Sequence, residues 1–359
     1  MNILIIESGA HEQIIQPACE ILSDKNNNKI SIFALKQRKK WFPEWVVENF
    51  TIHLSSSFLF WYKAIYLSRY YENIFIFTPP EYNNTWRGLF NDISFLLFLF
   101  LFKKKIVIRI LNTERWKVIR GSSLPMKLSS LIRLTALKFI RLYAFEYHAI
   151  YKSLPEAKPY TLFPAGYWKE NKKNVSFQQK LKIGFLGNLD AKKRDFTLLI
   201  RTLESLSKEI RNEIIIFFPS PISNPHQNEI IKKINKYVEI SLNDDRTKYM
   251  SHLESSDIFL GLLKKDLGYG EKKGTGIFGD ALTLNRKVIA PIFCDPNREY
   301  EKIAIYYKNN LDNIIRQLVL AKEKKETNVF DINPSYMKCY SKSFYYNAYV
   351  KLINSRNER

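Results

Sequence analysis

The feature that most constrains this chain is a rhythm of short apolar runs separated by stretches of helical length, repeated in two series. In the amino half the runs are Asn2–Ile6, Lys29–Ala34, Thr51–Leu54, Ile74–Phe77 and Ile106–Ile110, with shorter ones at Tyr147–Tyr151 and Tyr160–Phe163. In the carboxyl half they are Leu181–Gly187, Glu213–Phe218, Val238–Leu242, Ile258–Leu263 and Val288–Pro291. Runs this brief, rich in β-branched and aromatic residues and bounded by polar ones, predict buried strands. Helical stretches between them, such as His11–Leu22, make consecutive strands parallel through right-handed crossovers. The expected fold is therefore α/β: two Rossmann-like domains with parallel sheets facing each other across a cleft. We expect the domains at 1–165 and 181–333. The polar, lysine-rich 166–180 would be the linker, and an aromatic, helical tail would fill 334–359. A chain of 359 residues is long enough for two cores.

One stretch carries a candidate site. Ile258–Leu263 leads into a glycine- and lysine-rich loop, Lys264–Gly274, and Thr275-Gly-Ile-Phe-Gly-Asp280-Ala-Leu then predicts a short helix opening on a threonine cap. Val288–Pro291 closes the unit. Free backbone N–H groups and the helix dipole at such a junction attract an anion, and a diphosphate fits best. Ligands of parallel sheets bind beyond the carboxyl ends of the strands. By the same rule His11 and Glu12, in the turn after the first strand, would sit at the rim of a cleft. His11 could contact an acceptor hydroxyl there, or serve only as a residue of the helix N-terminus.

The order of strand, glycine-rich loop, acidic-Ala-Leu helix and strand ending in Ala-Pro resembles the donor-binding segment of GT-B-type nucleotide-sugar glycosyltransferases. Asp280-Ala-Leu stands where those families carry Glu-Ala. Gly187-Asn-Leu-Asp-Ala-Lys-Lys193-Arg194 resembles their Gly-Arg-Leu…Lys segment, with Lys193 at the family lysine and Asn188 in place of the arginine. Lys272 stands where the commonest retaining branch has a second acid. The resemblance implies a transferase that moves a sugar from a nucleotide-sugar donor to a saccharide or lipid-linked acceptor. The expected setting is assembly of a bacterial surface polysaccharide, O-antigen or capsule. It implies a cradle for the diphosphate from Lys193, Arg194, Lys273, Thr275 and Gly276. Asn188, Lys272, Gly274 and Gly9 would be further donor-site residues, and Asp280 would accept from the ribose hydroxyls. His11, Lys193 and Asp280 are the catalytic candidates. No cofactor is implied, because protein cations replace a metal.

Charge and composition bound the remaining classes. Fifty-six basic against 35 acidic residues leave +21, which suits a polyanionic partner. No nucleic-acid-binding signature accompanies it, so an anionic membrane surface is expected and nucleic acid is not. From Arg115 to Phe145 there are seven basic residues and no acid. Leu128, Ile132, Ala136 and Phe139 share one helical face there, while Lys127, Lys138 and Arg141 gather opposite. Such a helix binds anionic headgroups, and it also fits a partly buried helix with a solvated basic side. Ile93–Phe102, all apolar but for Ser94, is too short to span a bilayer and reads as a buried core helix. Cys19, Cys294 and Cys339 are odd in number and widely spaced, as expected of reduced thiols in a cytoplasmic protein. The start, MNILIIESG, reads as a strand and not a signal peptide. The expected location is cytoplasmic, peripheral at the inner face of the membrane. The histidines lack metal-ligand spacing, and Asn243-Asp-Asp245 reads as a helix cap.

Overall fold

A computed structural model of the chain describes residues 1–8, 12–23, 28–56, 59–78, 86–102, 106–110, 123–139, 143–145, 159–162, 166–168, 180–218, 222, 225–242, 253–271 and 274–354. The expectations for Gly9, His11, Tyr147–Tyr151, Asp245, Lys272 and Lys273 lie outside these residues. Two compact units are formed. One comprises Met1–Ala165, Glu271–Gly274 and Lys342–Arg359, and the other Gly166–Gly270 and Thr275–Ser341.

The first unit runs β1 (Asn2–Glu7), α1 (Glu12–Leu22), β2 (Lys29–Leu35), α2 (Glu44–Asn49), β3 (Thr51–Ser55), α3 (Phe60–Ser68), β4 (Asn73–Thr78), α4 (Trp86–Phe102), β5 (Ile106–Ile110), α5 (Leu124–Phe139), β6 (Tyr143–Phe145) and β7 (Pro159–Leu162). Its sheet has the order β3-β2-β1-β4-β5-β6-β7, and every pairing is parallel. Ile3 to Ile6 are fully buried, as expected of strands covered on both faces.

The second unit runs β8 (Leu181–Phe185), α6 (Phe196–Ser205), α7 (Lys208–Asn212), β9 (Ile214–Phe218), α8 (Pro225–Asn235), β10 (Glu239–Leu242), β11 (Ile258–Leu260), α9 (Ile277–Thr283), β12 (Val288–Pro291), β13 (Ala304–Tyr307), α10 (Leu311–Glu323) and α11 (Thr327–Phe330). Its sheet, β10-β9-β8-β11-β12-β13, is also parallel throughout. Leu181, Ile183, Phe185, Ile214 and Ile216 meet Leu199 and Leu203 of α6 and Ile315 and Leu318 of α10 in one core. At the amino end of β11, buried Asp257 pairs with buried Lys322, accepts the Lys182 N–H at 2.8 Å, and so ties β8, β11 and α10 together. The chain ends in α12 (Lys342–Asn354), which belongs to the first unit: it packs on α1 and β7 and sets Tyr349 against Phe75.

Several expectations need correction. The basic helix of 115–145 is confined among the described residues to α5, because Tyr143–Phe145 pairs with β5 and β7 as a strand. On α5, Ser129 and Ser130 are buried while Leu128 and Leu131 are exposed, so the packed side is not the Leu128 side. Asp92 of α4 accepts from the Ser129 hydroxyl, and that hydrogen bond holds a polar position inward. Ile93–Phe102 is the end of a longer helix, of which one side only is buried. Ile258–Leu263 stops as a strand at Leu260, since Leu262 and Leu263 turn aside to bond another loop. β13 was not anticipated. The tail is not one helix: Pro334–Tyr340 forms a 3-10 turn before α12.

Candidate functional site

In the second sheet β8, β9 and β10 run one way from the centre, and β11, β12 and β13 the other. The loops leaving β8 and β11 therefore diverge at the switch point, where ligands of open parallel sheets bind. These loops are the two stretches singled out in the sequence, and backbone hydrogen bonds join them. Leu186 N–H donates to Leu260 O (3.0 Å), Asp195 N–H to Leu262 O (3.2 Å) and Lys264 N–H to Lys193 O (3.2 Å), and Arg194 bridges Leu263. About 70 residues of sequence thus separate two segments that share one edge.

The loop after β8 is built by its aspartates. Asp190 accepts the Lys192 N–H on its side chain at 3.0 Å, and its carbonyl accepts Lys193 and Arg194 N–H at 2.9 Å. Asp195 caps α6, accepting from Leu198 N–H at 3.0 Å. Lys193 is half exposed, with its ammonium 3.4 Å from the Asp190 carboxylate. Arg194 is buried: its guanidinium packs against Gly187 and lies 5.9 Å from the Phe185 ring centroid. Gly187 has φ +92°, and any Cβ there would collide with that guanidinium. This glycine is required by a left-handed turn and a close approach together. Asn188 lines an open cleft of about 630 Å³ with Leu189, Asp190, Lys192, His226 and Lys264.

The loop after β11 uses its glycines structurally. Lys265–Leu267 is a 3-10 turn closed by Gly268 at φ 70°, and Gly270, at φ 83°, lies against the Phe293 carbonyl, where no Cβ fits. Gly274 groups with the first unit. Thr275 is buried and its hydroxyl oxygen accepts Ile277 N–H at 3.5 Å, while Gly276 occupies the cap position of α9. Asp280 lies in the first turn of α9, with its N–H donating to Gly276 O at 3.0 Å. Three contacts fix the helix. Phe278 stacks on Tyr300 with ring centroids 4.5 Å apart, and the backbone at Gly279 presses on Gly166, a position that admits no Cβ. Trp168 Nε1 donates to Asn285 Oδ1 (3.0 Å), which holds the helix's carboxyl end.

Of the expected donor-site residues, the second unit carries Asn188, Lys193 and Arg194 on the loop after β8, and Thr275, Gly276 and Asp280 at the entry to α9 beyond the loop after β11. Sequence reasoning missed Asp190 as partner of Lys193, for which the i,i+3 spacing was the available signal. It also missed His226 and Gln227, which open α8 just after Pro225. In the first unit it missed Glu7, buried at the carboxyl end of β1 and accepting from the Thr78 hydroxyl at 3.0 Å. No group of three or more potential metal ligands occurs among the described residues.

No family model and no curated protein matches the chain in sequence. Solved structures do match it over its whole length. HepE of Anabaena, solved with UDP, has a TM-score of 0.61 at 12% identity, covering 100% of this chain and 98% of that one. An alpha-glucosyltransferase solved with UDP has 0.61 at 11% identity, covering 99% and 100%. A protein of Listeria monocytogenes assigned as a UDP-N-acetylglucosamine 2-epimerase has 0.56 at 12% identity, covering 100% and 96%. At these identities the likeness speaks to the fold alone, and that fold is GT-B, two Rossmann-like α/β domains in one chain.

Proposed function

We propose that the protein is a glycosyltransferase of the hexosyltransferase type, taking a sugar from a nucleoside-diphosphate donor at the switch point of the second sheet. UDP is the first nucleotide to test, because HepE and the alpha-glucosyltransferase were solved with it. The observation that carries the reading is the hydrogen-bonded junction of the β8 and β11 loops, which includes Lys193 and is followed along the chain by the Thr275, Gly276 and Asp280 entry to α9. As the glycosidic bond breaks, negative charge grows on the leaving diphosphate, and a placed cation with helix-end N–H groups stabilises it. Lys193 supplies the cation, exchanging Asp190 for the diphosphate when donor binds. Asp280 accepts from the ribose hydroxyls, and Lys272, Lys273 and Gly274 complete the cradle. His11 contacts the acceptor hydroxyl. The acceptor is a saccharide, carried on lipid at the inner face of a bacterial membrane, in assembly of O-antigen or capsule. The basic sequence of 115–145 supports that setting.

The test is a panel of nucleotide-sugars, scored first by thermal shift, since a ligand of the folded state raises its melting temperature, and then by turnover with and without chelator. Sugar transfer that survives chelator is expected. Tight UDP binding without turnover would make the chain a non-catalytic partner subunit, a reading favoured by Asn188 and Lys272 at positions the family fills with arginine and acid. Epimerised donor with no transfer would place it beside the Listeria protein. The alpha-glucosyltransferase has also been solved with DNA; transfer to DNA would replace the saccharide acceptor.

A further inference from the structure

Helices α3, α4 and α5 of the first unit pack side by side, and their outer surface is not that of an ordinary globular domain. α4 buries Leu89, Phe95, Phe98 and Leu99 inward. Every described α4 residue that is exposed is apolar: Trp86, Phe90, Ile93, Leu97, Phe100 and Leu101, each between 49% and 64% exposed. They recur three or four residues apart, which places them along one side of a 17-residue helix about 25 Å long. Leu124, Leu128 and Leu131 of α5 extend the surface on one flank, and Tyr62, Tyr66 and Tyr70 extend it on the α3 flank.

Within these three helices the charges described as exposed have one sign, although exposed Glu72 follows Tyr70 just beyond α3. Asp92 is the only acid in the sequences of α3, α4 and α5, and it is buried on Ser129. Lys63, Arg69 and Lys127 are exposed on the flanks, and Lys103-Lys104-Lys105 follows α4 in sequence. We propose that this face of α4 lies in the boundary between headgroups and acyl chains of an anionic bilayer, with the tyrosines and lysines at headgroup level. The proposal rests on the membrane setting given above and names the surface that provides it. Four observations select lipid as the occupant. The stripe offers no polar side chain, whereas a protein interface needs about one hydrogen bond per 100–200 Å². A second copy docked by a two-fold would bring the same basic flanks together. Basic flanks complement anionic headgroups, and aromatic residues favour that depth. No described helix is long and apolar enough to cross a membrane, so α4 would lie in the plane of the interface.

The test compares the full chain with Phe90→Gln/Leu97→Gln/Leu101→Gln on phosphatidylglycerol-containing and pure phosphatidylcholine vesicles, at low salt and at about 1 M, where exposed charges are screened. The parent protein is expected to bind anionic vesicles and keep a salt-resistant fraction. The triple variant should lose that fraction, with partitioning down about 30-fold or more, while its thermal shift with UDP matches the parent's. Should the triple variant melt early, Leu97→Gln alone repeats the comparison. A dye on Leu97→Cys, in a Cys339→Ser background, should shift to the blue on anionic vesicles. Unchanged binding by the triple variant, or a dye that stays in water on bound vesicles, overturns the insertion. A parent dimer that the same substitutions dissociate would assign the face to a second copy. Failure of the parent to bind vesicles while still turning over donor would remove the membrane setting and leave the transferase reading standing.

Discussion

Substituting Gly187→Ala probes the β8 loop at the point where its geometry is least forgiving. The φ of +92° costs a residue with a Cβ about 1–2 kcal/mol. The new methyl also meets the Arg194 guanidinium, which is enclosed between Gly187 and Phe185 and has little room to yield. Overpacking of that kind costs about 1–3 kcal/mol. The sum is a loss of about 2–5 kcal/mol from the second unit, read by guanidinium denaturation at equilibrium. The Arg194→Ala background separates the two contributions. There the collision is gone and Gly187→Ala should cost only its backbone share, so the cycle should be non-additive by about 1–3 kcal/mol. UDP affinity should fall in the single variant, because the displaced guanidinium disturbs Lys193 beside it. A Gly187→Ala protein within about 0.5 kcal/mol of the parent, or an additive cycle, would refute the assigned packing of this loop.

Asp280→Asn keeps the shape of α9 and removes a charge-assisted hydrogen bond worth about 1.5–3 kcal/mol, so donor affinity should drop roughly 10- to 150-fold by calorimetry with the melting temperature retained. Asp257→Ala leaves Lys322 buried without its counter-charge and should destabilise by about 3–5 kcal/mol, with Lys322→Met restoring much of it. Burial already holds the Lys322 ammonium below its ordinary 10.5, and losing Asp257 lowers it further. The unfolded state then binds the extra proton, so the defect should shrink as pH rises toward 10.5. Burial, and for Tyr306 also its hydrogen bond to Asp295, pushes the hydroxyls of Tyr306, Tyr307 and Tyr340 above their ordinary 10.0. Their contribution is fully present below pH 10 and is lost as pH climbs past it, so tyrosinate absorbance should appear with unfolding. Titration of these groups near pH 10 in a protein that stays folded would contradict their burial.

The central strands β1, β4 and β5 were legible because each is a compact run rich in Ile, Val, Leu or Phe that a sheet covered on both faces hides. Asn2, Lys29, Thr51 and Ile106 were placed at the first residues of their strands. The two candidate loops stood out in the sequence as local patterns, Gly187-Asn-Leu…Lys193 after β8 and the glycine-rich approach to α9, but the Asp190 partner of Lys193 was missed and the expected threonine cap is replaced by Gly276. What escaped is set by partners distant in sequence. Tyr143–Phe145 is a strand only because β5 and β7 lie on either side. Ile258–Leu263 stops short because Leu262 and Leu263 serve the β8 loop. Arg194 looked like a free cation in sequence, yet the glycine at 187 gives it a place to fold inward. α4 misled in the opposite direction: apolar composition normally implies burial, and one of its sides is left outside.

The position at which a nucleoside diphosphate binds decides whether the β8 and β11 loops form the donor site. Hydrogen exchange read by mass spectrometry, with and without saturating UDP, locates it directly. The expected result is protection of Leu186–Phe196 and of Gly261–Thr283, with the amino ends of the same strands unchanged. Saturable UDP binding that leaves both segments unprotected would contradict the assigned site.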